Sequence, residues 1–133
     1  MTNEQSLVFI KPDAVQKGYV DSIIDRFESA GLHIKQQKQI HITSDLADQH
    51  YAEHVDRPFY PGLKEFITSG PVVVMIIEGL NAVAHIRELC GATNPDDADA
   101  GTIRSDFGES MTMNAIHASD SVQSAEREMA IFF

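Results

Sequence analysis

With 133 residues, 43% of them apolar, and a formal net charge of −10, the chain has the size and composition of one globular domain with its own core, not of a disordered segment. The acidic balance argues against general binding to nucleic acid or anionic membranes, and any site for polyphosphates must gather the few cations, or a metal, in one place. The single cysteine, Cys90, excludes an internal disulfide; there is no Cys/His spacing for zinc, no apolar run of membrane-spanning length and no signal-peptide pattern in the polar N-terminus, so a cytoplasmic protein is expected.

Leu7-Val8-Phe9-Ile10 is an apolar run that predicts a buried strand, closed by Pro12 with Lys11 at its tip. Residues 19–30 carry apolar side chains at Val20, Ile23, Ile24, Phe27 and Ala30. That is helical spacing, and Gly31 is its stop. In residues 32–42, Leu32, Ile34, Ile40 and Ile42 share one parity, which predicts a half-buried strand with His33 and His41 facing solvent. Thr43, Ser44 and Asp45 offer caps for a helix reaching about His54, with Tyr51 inside it. The prolines and glycine of residues 57–63 then fix a turn, and a short helix over 63–69 stops at Gly70-Pro71.

Residues 72–77 are apolar in succession and rich in β-branched types, which predicts a central strand covered on both faces. Asn81 is placed to cap a helix ending at Cys90, with Ala82, Ile86 and Leu89 as its buried stripe and Arg87 pointing elsewhere. Residues 91–114 lack an apolar pattern, and a stretch of that length in a small domain suggests a functional loop. Within it Thr102 can cap one helical turn bearing Arg104, while Asp96, Asp97 and Asp99 read as solvated. Ala115 and Ile116 read as the end of a short strand. Ser119 and Asp120 are N-cap residues for a final helix towards Ile131, and Asp120 with Gln123 suits a capping box. Val122, Ala125 and Met129 form the core stripe of that helix, Glu128 shares a face with Ser121 and Ala125, and Phe132-Phe133 is expected to dock on a neighbouring surface.

The stretch Asn114-Ala115-Ile116-His117-Ala118-Ser119-Asp120 resembles the active-site signature of nucleoside diphosphate kinases, and Ile10-Lys11-Pro12-Asp13-Ala14 resembles that family's opening motif. The likeness runs from Leu7 to Phe133 through several motifs whose spacing agrees. It implies that His117 takes the γ-phosphate from a nucleoside triphosphate and passes it to a diphosphate, with ping-pong kinetics. It further implies that Lys11 contacts the transferred phosphate, that Glu128 with help from Ser119 orients the imidazole, and that Arg87, Thr93 and Arg104 contact phosphates. Phe59 would stack on the base with support from Leu63, and Asn114 would anchor the sugar or neighbouring oxygens. Tyr51 either packs or enters the site.

With no carboxylate cluster dedicated to a cation, Mg²⁺ is expected to arrive on the nucleotide. The element order, with small helices set aside, is βαββαβ: an α+β, ferredoxin-like antiparallel sheet with added helices and a long active-site loop. The resemblance also implies a homo-oligomer, a tetramer or hexamer built on a shared dimer. Three residues depart from the family pattern: Ala118 stands where glycine is commoner, Ser105 where a glycine is usual, and Ala100 where a proline is usual, which leaves the loop less rigid. Two rival readings are a nucleotide-binding regulator without turnover on the same fold, and a ferredoxin-like interaction or metabolite-sensing module.

Overall fold

Four strands form one antiparallel sheet in a computed structural model that describes residues 3–133. They are β1 (Asn3–Ile10), β2 (His33–His41), β3 (Pro71–Leu80) and β4 (Ile116–Ala118), in the spatial order β2-β3-β1-β4. That order with antiparallel pairing is the ferredoxin-like arrangement. The polar N-terminus enters β1 at Asn3; Met1 and Thr2 lie outside the described residues. β1 and β3 are central because alternate side chains on each are apolar in both directions. Val8 and Ile10 pack on one face with Val73 and Met75, while Leu7 and Phe9 pack on the other with Val72 and Val74.

Each face has its own layer of helices. On the first lie α1 (Pro12–Gln16), α2 (Val20–Ser29), α5 (Ala82–Cys90) and α6 (Ile103–Phe107), contributing Ala14, Ile23, Phe27, Ile86 and Ile103. On the second lie α3 (Ser44–His50), α4 (Tyr60–Ile67) and α7 (Val122–Phe132), contributing Ala47, Ile67 and Phe132. Side chains such as Phe9, Phe27 and Ile86 are wholly buried, each worth about 1.5–3 kcal/mol relative to exposure.

Several local expectations are corrected. The apolar residues of β2 do not share a face. A bulge between Ile34 and Gln36 shifts the register, so Leu32 and Ile34 join the first core and Ile40 and Ile42 the second. One extra residue in a strand inverts every side chain beyond it. Pro12 opens a short helix, α1, rather than only ending β1; its missing N–H costs nothing at a first helical turn. For the same reason α4 starts at Tyr60, with Pro61 inside its first turn.

Asn81 sits at the start of α5 in the left-handed region (φ 52°) and makes no side-chain cap. Instead Glu4 reaches from β1, and its Oε1 accepts from the Val83 N–H at 3.2 Å. The cap of α7 is Ser121, whose Oγ accepts from the Ser124 N–H at 3.0 Å, not Ser119 or Asp120, so the expected box does not form. Val122 is 44% exposed and leaves the core stripe to Ala125 and Met129. Phe132 does dock, edge-on to Phe9, while Phe133 stays half-exposed beside the Lys38 ammonium.

Candidate active site

β4 pairs with β1 so that His117 stands opposite Phe9. The two rings stack at 4.8 Å between centroids, and His50 at the end of α3 meets the same imidazole edge-on at 4.5 Å. The third hold is polar. His117 Nε2 lies 2.8 Å from Glu128 Oε1, one turn and a half into α7. Behind it, Ser119 Oγ lies 2.8 Å from the same carboxylate oxygen and 3.1 Å from the Leu7 carbonyl, and it accepts the Leu7 N–H at 3.3 Å. Glu128 and Ser119 are buried, so this chain of bonds runs in a low-dielectric setting where each is stronger.

A carboxylate can only accept, so the neutral imidazole donates from Nε2 and carries its lone pair on Nδ1. Burial lowers the pKa of His117, and Lys11 and Arg104 push the same way; the Glu128 bond and charge oppose them. The ring is therefore neutral at physiological pH. His50 is pushed down to about 2, mainly by burial and then by His117, and its Nδ1 is buried without a partner.

The cations converge from three elements. Lys11, at the entrance of α1, is buried, and its Nζ donates to Asn114 Oδ1 at 2.7 Å. Asn114 in turn donates from Nδ2 to the Thr93 carbonyl at 2.9 Å, which joins the start of the long loop to its end. Arg104 on α6 donates to the carbonyls of Gly91 at 3.0 Å and Ile116 at 2.9 Å. Arg87 on α5 donates to the Ala118 carbonyl at 3.3 Å. A guanidinium has five N–H groups, so both arginines keep donors to spare after holding the loop and β4. Thr102 caps α6 as its position suggested, accepting the Ser105 N–H.

Lys11, His50, Arg87, Thr93, Arg104, Asn114, His117 and Glu128 line one cavity of about 650 Å³. Its mouth carries Phe59, which is 55% exposed, with Leu63 on the first turn of α4 beside it. Tyr51 lines the wall, packed on His50, and burial raises the pKa of its hydroxyl. A cavity that pairs an exposed aromatic at the mouth with a ring of cations and a neutral imidazole at its base suits a base at one end and phosphates at the other.

A family model described as "Nucleoside diphosphate kinase" matches residues 4–133. The chain belongs to the nucleoside diphosphate kinase family. A relative of that name from Campylobacter fetus subsp. fetus is 58% identical, over 98% of this chain and 95% of its own length. One from Archaeoglobus fulgidus is 52% identical, over 98% of this chain and 86% of its own. Among solved structures, the nucleoside diphosphate kinase of Aquifex aeolicus superposes with a TM-score of 0.97 at 41% identity, covering 99% of this chain and 96% of that one. The halophilic nucleoside diphosphate kinase of Halobacterium salinarum, solved in complex with CDP, gives 0.96 at 46% identity, covering 99% and 88%.

Membership makes the chain a phosphotransferase, the enzyme class its motifs implied. Two buried residues beside the reacting centre, His50 and Asp13, were given no role from the sequence. His50 falls four residues after Leu46 on α3, a helical spacing that puts it on the inward face. Asp13 follows a Pro at the first helical position, where an acid suits the helix N-terminus. Neither signal says that the group is buried against the reacting centre. Among the described residues, His50, His117 and Glu128 are the grouping of three with metal-donor atoms close together. Two of its three donors are imidazole nitrogens, whereas Mg²⁺ takes oxygen ligands, so this grouping does not suit Mg²⁺. No helix among the described residues is long and apolar enough to cross a membrane.

Proposed function

We propose that His117 Nδ1 is the nucleophile of a ping-pong nucleoside diphosphate kinase, that Lys11, Arg87, Arg104 and Thr93 receive the phosphates, and that Asn114 anchors the sugar or its neighbouring oxygens. The observation that carries this is the Nε2 bond to Glu128, which spends one ring nitrogen on orientation and leaves the lone pair on the other. In the first half-reaction the Nδ1 lone pair forms a bond to the γ-phosphorus. The bond from phosphorus to the β,γ-bridging oxygen breaks, and its electron pair leaves with the diphosphate. The Nε2 proton stays between the ring and Glu128, whose charge stabilises the cationic phosphoimidazole. In the second half-reaction a terminal oxygen of an acceptor diphosphate forms a bond to the same phosphorus, the bond from phosphorus to Nδ1 breaks, and its electron pair returns to the ring, which is neutral again.

Phosphoryl transfer asks for alignment and for charge on the equatorial oxygens, and a lysine with two arginines supplies both. Mg²⁺ enters as part of the nucleotide substrate. Phe59 stacks on the base with Leu63 beneath it, and because every base has a π-face this contact tolerates all of them. CDP bound to the Halobacterium salinarum relative supports a nucleoside diphosphate as ligand. The reading places the chain in the cytoplasm, as its buried, unpaired Cys90 suits. It also places the chain in a homo-oligomer, tetramer or hexamer, to which the free outer edge of β2 lends itself.

The test is an intact mass after incubation with ATP and Mg²⁺, beside a His117→Ala control. An acid-labile phosphoryl adduct on the wild-type chain only, discharged by GDP or CDP, is the expected result. A wild-type chain that binds ADP but forms no adduct would overturn it.

A further inference from the structure

Ala115, two residues before His117, is fully buried and has φ +75°. Side chains rarely tolerate that region, and this one is held there by a tight turn: the Ile116 N–H donates back to the Asn114 carbonyl at 3.0 Å. Such strain persists only where the surroundings over-determine it. Here both backbone groups of Ala115 are pinned by the entrance of α1. Its carbonyl accepts the Lys11 N–H at 2.8 Å, and its N–H donates to Asp13 Oδ2 at 3.2 Å.

Asp13 is itself 7% exposed, and its Oδ1 is buried without a partner. A buried carboxylate left half-satisfied is costly unless an opposite charge is near. Lys11 supplies that charge, and the exchange is mutual. Lys11 is pushed down to about 8 by burial and by Arg104, and Asp13 is the group that opposes the fall. From the other elements around this ammonium, Arg104 on α6 faces it as a like charge, while His117 on β4 and His50 on α3 are neutral. Asn114 contributes only a carbonyl, and the Glu128 charge is committed to His117 and Ser119.

We infer that Asp13 is a positioning residue with two tasks: its Oδ2 locks the strained turn that aims His117, and its carboxylate supplies the opposite charge for the Lys11 ammonium, which is bonded to Asn114 of the same turn. The inference rests on the reading that His117 and Lys11 act on the transferred phosphate. The two tasks separate by mutation. Asp13→Asn keeps an acceptor for the Ala115 N–H and loses the charge. Asp13→Ala loses both. Ala115→Gly removes the strain, because glycine adopts positive φ freely.

The experiment is the pH profile of kcat/KM, which reports groups of the free enzyme, with melting temperatures for every variant. Asp13→Asn is expected to match wild type at about pH 6 and to move the alkaline limb down by about one pH unit, to near neutrality, a loss of about tenfold above it. Ala115→Gly added to Asp13→Ala is expected to recover the melting temperature and the activity at about pH 6, but not the alkaline limb. If Asp13→Asn alone melts too low to assay, the Ala115→Gly/Asp13→Asn pair carries the charge test on a relaxed turn. An alkaline limb that overlays wild type in a charge-removing variant, or no recovery on adding Ala115→Gly, overturns the inference. Failure of the underlying function shows separately, as no phosphoryl adduct on the wild-type chain.

Discussion

Replacing Glu128 tests the orientation of the nucleophile and its electrostatics in one series. The carboxylate is 4% exposed and receives two donors, His117 Nε2 and Ser119 Oγ, each at 2.8 Å. Glu128→Gln keeps an oxygen for both and removes the charge. A charge-assisted bond exceeds a neutral one by about 1–1.5 kcal/mol, so phosphorylation of His117 should slow roughly tenfold. Glu128→Ala also strands two buried donors at about 1–3 kcal/mol each. A total of at least about 3 kcal/mol gives more than about a hundredfold. The pH dependence carries a second, independent sign. Glu128 raises the His117 pKa against the burial that lowers it. Without the charge, protonation becomes harder, and the acid limb must move to lower pH even as the rate falls. Rapid-quench measurement of single-turnover phosphorylation by ATP, from about pH 5 to about pH 8 across the range where histidine titrates, reads both. A Glu128→Gln chain as fast as wild type, or an acid limb that moves up, would refute the reasoning.

Acid should destabilise the fold through His50. Its folded pKa is pushed down to about 2 from 6.5, so between those values the unfolded chain binds the extra proton. That stability is fully present above the unfolded value and is lost as pH falls below it, by about 1.4 kcal/mol per pH unit. Urea titrations at stepped pH should show a shallower acid slope for His50→Gln than for wild type, and equal slopes would exclude this origin. Gly91→Ala should disturb the long loop at its root. Gly91 has φ +83°, and a Cβ there would lie 2.6 Å from Thr102 Oγ1, the cap of α6. The Gly91 carbonyl also accepts from Arg104. A loss of about 1–3 kcal/mol of stability with a raised nucleotide KM is expected, measured by thermal melting and steady-state assay. Wild-type values in both would remove Gly91 from the account of the loop.

Most of the skeleton was legible because it rests on periodicity. The apolar run of β3, the helical stripe of α2 and the cap at Thr102 are local signals, and each was found where the residues put it. The errors fell where a distant group overrode a local one. Parity along β2 could not reveal a bulge, because the bulge is set by pairing with β3. Asn81 has the right chemistry for a cap, yet Glu4 from another strand took that role. At the start of α7 three polar residues stood in line; Ser119 faced the core and bonded Glu128, which left Ser121 to cap.

The site follows the same division. Its cations, its imidazole and its exposed aromatic were readable as residue types in motifs, and the fold gathers them into one cavity. What no motif conveyed is how much of their reactivity comes from burial. Lys11 at about 8 and His50 at about 2 are products of packing, and so is a His117 that stays neutral beside a carboxylate. A chain with a net charge of −10 can still present positive charge to a polyphosphate, because its acids lie mostly on the surface, where water screens them. Lys11 and Arg104 are instead buried at the cavity wall, where screening is weak. Burial also sets the limit on this arrangement. Burial and the Arg104 charge both push Lys11 down, and the buried carboxylate of Asp13 is the anion that opposes them.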